Sequence, residues 1–556
     1  MQIRIKENTF TATFKDGTKK SFLNQTNLLE IINIVSPSST KNILLARVNN
    51  QIVDLKYKIE EDCFIEWLHK DSPQTLEVYG KTLCLIIFKA FNEVFPNDQI
   101  IIHYSLGNNL YCSCFSEKPI RKKLLNKIKK RVKEIIENDE DISPQHLLLN
   151  KALEEFIIKG EGPALILGNR EQSFLRFYKI EEYVDFLNSP LFIKTRYINI
   201  YDIVHYPPGF IIKLPEKMND KHLPALTKQK SFIKVLRESR QWNKILNVQK
   251  AADINKIIEN KKISELINIS EGLHEKKIIQ IANIITHNRK HIRTVLIGGP
   301  SSSGKTTFTK RLANQLKING LNPLILSLDN YYYEVENPLD HKNYTANIES
   351  PRAINIEQLN KNLINLCSGK TVKIPKFNFK TGKQISGHLS KLKPENPILI
   401  EGMHALNDNV TITIPKKKKF KIYVSALTQL NITNHVRIPT SDIRLLRRML
   451  RGYNFRNQSL SNTFHQWPEV KKGEEKHIFP FQENADVIFN SALVYEPAVF
   501  RSVLKPLLDE ISNNEYIYSE AQRLIQLLYF FVPLEPDIIP LNSILREFIG
   551  GSIFNY

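Results

Sequence analysis

The chain has 556 residues, 42% of them hydrophobic, and a formal net charge of +21; that length implies several domains, and the apolar share suffices for ordinary cores. Five scattered cysteines without a C-x-x-C pair argue against a disulfide framework, and the polar start Met1 to Lys6 and the absence of any bilayer-length apolar run point to a cytoplasmic protein with no membrane partner. The charge is spread along a Lys-rich chain, which weakens a nucleic-acid reading, although Lys118 to Lys133 could present a polyanion-binding helix face.

Residues 1–70 alternate apolar and polar side chains. The turn Asp16-Gly17, the run Leu28 to Ile32 and the pair Asn49-Asn50 predict a hairpin, a short helix and a second hairpin, the outline of a small β-grasp domain. That outline resembles the TGS module of threonyl-tRNA synthetases. Residues 71–215 are similar to the second additional domain of those enzymes, an α+β unit, through Glu77 to Leu85, Phe95-Pro96 and Leu110 to Phe115. The resemblance implies an H-x-x-x-H metal pair after the position of Tyr79, yet Lys81 and Leu85 stand there, and neither side chain replaces a neutral imidazole on zinc. His205 has no partner at ligand spacing. The expectation is a scaffold without aminoacyl-editing chemistry, with at most a weak RNA contact through this N-terminal region.

Residues 216–289 read as a helical connector, with Leu266, Ile267, Ile278, Ile281, Ile284 and Ile285 on its buried faces. Then comes the strand-like run Thr294 to Ile297, the loop Gly299-Pro300-Ser301-Ser302-Ser303-Gly304-Lys305-Thr306, and Thr307 opening a helix with Phe308, Leu312 and Leu316 at helical spacing. Strand, G-x-x-x-x-G-K-[ST] loop and helix form a phosphate cradle: backbone N–H groups wrap nucleotide phosphates, Lys305 reaches the β and γ phosphates, and the Thr306 hydroxyl meets Mg²⁺.

Two further strand runs end in carboxylates, at Asp329 after Pro323 to Leu328 and at Glu401 after Pro397 to Ile400. Such positions at the carboxyl ends of parallel strands suit a proton acceptor and a metal ligand, Asp329 for the first and Glu401 for the second. Arg444, Arg447, Arg448 and Arg451 then recur at i, i+3, i+4 and i+7, with Arg456 following; in a Lys-rich chain this concentration of guanidinium groups suits a phosphate-closing helix. Lys416 to Lys419 is expected to be a solvated loop, and residues 511–556 to form C-terminal helices.

Residues 290–510 together resemble the uridine kinase and phosphoribulokinase family, and within it the uridine-cytidine kinases. The resemblance rests on Gly298 to Thr307, on Ser327, Asp329 and Tyr332, on Asn347 to Asn355, and on Ile374 to Gly382. It implies a doubly wound α/β kinase domain with a parallel sheet, using ATP and Mg²⁺. It further implies Asp329 as general base beside Tyr332, Glu349 on the ribose hydroxyls, Phe377 and Phe379 around a pyrimidine, and Arg444 facing the substrate. Lys305, Arg447 and Arg451 would assist catalysis, while Arg448 and Arg456 would join Gly299, Ser301, Ser302, Ser303, Gly304, Thr306 and Thr307 on the nucleotide. Gly382 stands where the family carries a His, and Arg451 to Asn457 departs from the usual lid spacing. The resulting expectation is a homo-oligomeric nucleoside kinase with altered base preference. A kinase for a sugar or sugar-phosphate hydroxyl, or an RNA-binding regulatory P-loop protein, remains open at this point.

Overall fold

The computed structural model describes residues 9–37, 42–116, 118–161, 165, 173–226, 229–334, 349–378, 381–393 and 395–555. The chain opens with β1 (Thr9–Phe14), β2 (Lys19–Leu23), α1 (Leu28–Val35), β3 (Ile43–Val48), β4 (Gln51–Val53) and β5 (Cys63–His69). They form one sheet in the order β2-β1-β5-β3-β4, with β1 and β5 parallel, which is the expected β-grasp arrangement. Asn49 and Asn50, at φ 45° and 63°, supply the left-handed turn that lets β3 and β4 keep their twist. Asn27 caps α1 by accepting from the Glu30 N–H at 2.9 Å, and Leu28, Ile31 and Ile32 are buried on its inner face.

The next unit contains α2 (Pro73–Val94), β6 (Ile100–Leu106), β7 (Asn109–Cys114), α3 (Lys122–Glu137), β8 (Ile142–Leu148), α4 (Leu149–Ile158), β9 (Phe174–Ile180), β10 (Tyr183–Phe186), β11 (Asp202–Tyr206) and β12 (Gly209–Lys213). Its strands make a three-stranded sheet β10-β9-β8 and a four-stranded sheet β11-β12-β7-β6. Cys112 and Cys114 alternate on β7 and are both buried. His205 is hydrogen-bonded, its Nε2 lying 2.8 Å from the Ile120 carbonyl oxygen. The basic helix α3 buries Leu125, Ile128, Val132 and Ile135, and its cations are interleaved with carboxylates: Lys129 meets Asp202 at 2.8 Å and Arg131 meets Glu93 at 2.5 Å. Much of its charge is therefore balanced locally.

Three helices follow, α5 (Lys230–Ile245), α6 (Ala251–Glu259) and α7 (Ile263–His287). Leu266, Ile267, Ile278, Ile281 and Ile285 are buried, but Ile284 is 41% exposed, because it lies 100° round the helix from Ile285, outside the apolar stripe.

The remaining elements are β13 (Thr294–Gly298), α8 (Lys305–Ile318), β14 (Leu324–Ser327), α9 (Ile356–Cys367), β15 (Val372–Asn378), β16 (Lys383–Ser390), β17 (Ile398–Glu401), β18 (Lys419–Ser425), α10 (Thr440–Arg456), α11 (Leu460–His477), β19 (Val487–Asn490), α12 (Glu496–Asp509), α13 (Tyr518–Leu528) and the short α14 (Arg546–Ile549). The central sheet is all parallel in the order β14-β17-β13-β18-β19. Its inner strands β13 and β17 are buried along their whole length, as parallel strands covered by helices on both faces require. One apolar cluster joins β13 and α8 to residues of α6, α7, α10, α12 and α13 and to Phe530, Ile544 and Phe548. The flanking helices thus share the core of the parallel-sheet unit. The lysine run is only partly solvated: Lys416, Lys417 and Lys418 are exposed, whereas the Lys419 side chain is buried with its Nζ 3.1 Å from Asp408.

On α2, Leu85 is fully buried and Lys81 pairs with Glu77 at 2.7 Å. The full chain should therefore purify without stoichiometric zinc and should not hydrolyse mischarged tRNA. Metal analysis finding one tightly bound zinc per chain would overturn that expectation.

Candidate active site

The cradle forms because β13 must turn back sharply into α8. A side chain on Gly299 would place its Cβ 2.0 Å from the Val424 carbonyl oxygen, so only hydrogen fits beside β18. Gly304, at φ +81°, is the N-cap of α8, and a Cβ there would lie 2.4 Å from Ile544 Cγ2. Ser301, Ser302 and Ser303 are buried along the turn, and Thr306 is half-buried on the first turn of α8. Lys305 is 9% exposed, and its Nζ donates to the carbonyls of Gly299 at 3.0 Å and Pro300 at 2.8 Å. Burial lowers its pKa, opposed by the nearby Glu401 and Asp329 carboxylates.

Register aligns the carboxyl ends of three strands. Glu401, on β17, pairs with Ile297 of β13 on one side and Ser327 of β14 on the other. Its Oε1 accepts from the Ser327 hydroxyl at 2.8 Å. Burial pushes the Glu401 carboxyl up to about 7, helped by repulsion from Asp329 and opposed by Lys305. Asp329 itself sits in the turn Leu328–Tyr331 directly after β14 and is half-buried. Tyr332, 2% exposed, hydrogen-bonds Asp329; burial and the neighbouring Asp329 and Glu349 carboxylates hold its phenol protonated. The Glu401 carboxylate and the Thr306 hydroxyl are oxygen donors that suit a Mg²⁺ ion, which would take its remaining oxygens from phosphates and water. Among the described residues no group of three or more His, Cys, Asp or Glu could hold a metal ion without that help.

Glu349 is 3% exposed, and its Oε2 has no hydrogen-bond partner among the described residues. Burial raises its carboxyl to about 7; Arg448, 3.9 Å away, opposes the rise, and Glu474 adds to it. Gly473 on α11 makes this approach feasible, since a Cβ there would lie 2.6 Å from that of Glu349. Phe377 is buried edge-on to Tyr332, with ring centroids 5.8 Å apart. Phe379 lies outside the described residues. Gly382, at φ +67°, closes the turn before β16, its N–H donating to the Asn378 carbonyl at 2.8 Å.

All four arginines of α10 turn towards the cradle, but in different employment. Arg448 and Arg451 donate to the Ser301 hydroxyl at 2.7 and 3.3 Å, and the Nε of each has no partner among the described residues. Burial and the neighbouring Arg456 lower the Arg451 pKa to about 9. Arg444 is bound to Glu474 at 2.6 Å, and Glu474 in turn accepts from the Ser301 N–H at 2.9 Å. Arg447 is fully buried, donating to Glu496 at 2.5 and 2.8 Å and to the Ser491 carbonyl at 2.8 Å. These last two guanidinium groups brace the loop. Arg456 ends α10.

Sequence reasoning missed Glu474, Glu496 and Glu547. Glu547 accepts from the Thr307 N–H at 3.1 Å and its hydroxyl at 2.7 Å, across 240 residues of chain. No short-range spacing announces such a partner.

Comparison with known proteins agrees with this geometry. Residues 294–495 match the Phosphoribulokinase / Uridine kinase family. The uridine kinase of Deinococcus deserti is 28% identical over 212 residues, covering 38% of this chain and 93% of that one. The threonine–tRNA ligase of Acinetobacter baylyi is 25% identical over 193 residues, and that of Clostridium perfringens 29% over 180. Those matches cover 34% and 32% of this chain but only 30% and 28% of the ligases. A solved Bacillus stearothermophilus protein described as a possible uridine kinase is 19% identical, covering 39% of this chain and 98% of that one, with a TM-score of 0.27. Residues 294–495 are thus a phosphoribulokinase and uridine kinase family domain, and the N-terminal region before it is similar to that of the threonine–tRNA ligases.

Proposed function

We propose that the chain is an ATP-dependent nucleoside kinase that transfers the γ-phosphoryl group to a 5′-hydroxyl. The observation that carries this reading is the convergence of Asp329, Tyr332, Glu401 and Lys305 at the carboxyl ends of three parallel strands. Asp329 accepts the hydroxyl proton as the oxygen bonds to phosphorus and the bond to the ADP leaving oxygen breaks. Lys305, Arg448 and Arg451 neutralise charge on the phosphoryl oxygens. Magnesium, held by Thr306 and Glu401, would add the divalent charge between the phosphates. Little else is required, because phosphoryl transfer is catalysed mainly by positioning and charge.

Glu349, buried and with a spare oxygen, suits ribose hydroxyls. The base end is different. Gly382 occupies a hairpin turn at positive φ, where a His side chain would strain the backbone, so no imidazole reads the pyrimidine edge there. A site without that polar contact discriminates less between bases.

The deciding experiment measures kcat/KM for uridine, cytidine, adenosine, guanosine and inosine, with ribulose 5-phosphate as the sugar-phosphate control. Broad nucleoside use is expected. Exclusive use of uridine and cytidine would refute the argument from Gly382, and turnover of the sugar phosphate alone would refute the nucleoside reading.

Two substitutions divide the machinery. Lys305→Ala should lower kcat by about a hundredfold or more, as loss of a preorganised charge does. Asp329→Asn should lower kcat far more than it weakens ATP binding; equal losses in both would make Asp329 a metal or structural residue.

The pH profile supplies a further check. Glu401 and Glu349 have carboxyls raised to about 7, so each keeps its proton below that pH and loses it above. Magnesium on Glu401 would lower its pKa, so the profile reports Glu349: if Glu349 acts as a carboxylate, kcat/KM must rise with pH through about 7 and then level, in contrast to the range of about 4 to 5 for ordinary carboxylates. A flat profile from pH 5.5 to 8 would contradict this.

A further inference from the structure

The C-terminal segment reaches back onto the phosphate cradle and leaves an anion there. Arg546 pins the segment by donating to the carbonyls of Pro536 at 3.0 Å and Ile539 at 2.7 Å. Ile544, fully buried, covers Gly304, while Phe548 lies beneath the Arg447 guanidinium, 5.0 Å from its ring centroid. Phe548 also accepts from the Asn454 side chain through its carbonyl at 2.9 Å, tying the segment to α10. Between these anchors stands Glu547, 5% exposed, whose Oε2 takes both the N–H and the hydroxyl of Thr307. Its Oε1 lies 4.0 Å from Arg451 Nη1.

Thr307 is on the first turn of α8, where backbone donors of a phosphate-binding loop receive the α and β phosphates. A carboxylate and a phosphate cannot share that N–H, and bringing them together in a buried site sets like charges side by side. Glu547 also neutralises part of the positive charge of Arg451 and Lys305 that a triphosphate would use. We propose that Glu547 is a resident competitor of the nucleotide: the C-terminal segment must release Thr307 before phosphate can occupy the cradle, and Glu547 thereby sets nucleotide affinity. This rests on the reading of the loop as a nucleotide site.

The test uses the full chain and ATP, with calorimetric Kd values for the wild type, Lys305→Ala, Glu547→Gln and Glu547→Ala. Hydrogen exchange of residues 536–549 is followed in the wild type with and without ATP, which needs no substitution and so does not depend on a variant folding. Glu547→Gln, which keeps shape but removes charge, should tighten ATP binding by about tenfold, as expected from replacing a charge-assisted hydrogen bond by a neutral one. In the wild type, ATP should speed exchange in the segment. Unchanged or weaker binding by both Glu547 variants, or slower exchange in the segment with ATP, would overturn the proposal while leaving the nucleotide site intact. Wild-type binding that Lys305→Ala does not alter would sink the nucleotide reading itself, and the competitor role with it.

Discussion

The structure around the active site depends on one constraint: the N-terminal end of α8, whose first N–H groups point out of the helix without intrahelical acceptors and carry partial positive charge, is held inside the protein together with Lys305 and the α10 arginines. Buried cationic groups need partners, and each is supplied from a different part of the chain. Glu474 of α11 takes the Ser301 N–H, Glu547 takes Thr307, Glu496 takes Arg447, and the Gly299 and Pro300 carbonyls take Lys305. Removing one partner of such a pair strands a charge without water, which costs about 3–5 kcal/mol. These contacts consequently fix the shape of the loop as it stands in the structure.

The carboxylates do not all carry the same charge at neutral pH. Burial, with neighbouring acids adding to it, makes Glu401 and Glu349 hold their protons up to about 7, whereas an opposite charge brought beside them would favour their ionised forms. Pairing with buried acids also divides the arginines. Arg444 and Arg447 have their charge cancelled by Glu474 and Glu496, while Arg448 and Arg451, next to Ser301, each keep a nitrogen without a partner among the described residues.

Local patterns made the parts legible from sequence that depend on local physics. The two N-terminal turns at Asp16-Gly17 and Asn49-Asn50, the glycine loop between β13 and α8, and the carboxylates ending β14 and β17 each leave a short-range signature of turn chemistry or strand termination. Helical periodicity found the arginine row but could not tell which guanidinium groups are consumed by buried acids, since Glu474 and Glu496 belong to other helices. Ile284 failed for a related reason, as one residue at the margin of a stripe is placed by its neighbours and not by period alone. Glu547 and Gly473 act across long separations, one through a hydrogen bond to Thr307 and the other through a close approach to Glu349. Nothing in a single sequence marks either distance.

The N-terminal region is joined to the kinase machinery by the segment between β18 and α10. The Asn431 side chain donates to the Ile102 carbonyl at 2.8 Å, and the Asn434 carbonyl accepts from the Ile102 N–H at 3.0 Å, so this segment is hydrogen-bonded to β6. Asn434 N–H donates to Glu161, which also receives Lys250 at 2.8 Å. His435 stacks on Phe88 at 3.9 Å and meets Asp185 at 2.6 Å; burial opposes the Asp185 charge, but His435 and Lys159 hold its carboxyl down at about 2. At the start of α10, Asp442 receives Arg523 of α13 through two hydrogen bonds. The first turn of the arginine helix is thus anchored by the C-terminal helices, and the segment entering it by the α+β unit. Because Arg448 and Arg451 lie two to three turns further along the same helix, their distance from Ser301 is set by a rigid element whose base rests on both flanking regions. The synthetase-like scaffold thus supports the helix that carries these arginines, even though none of its own side chains enters the set described there.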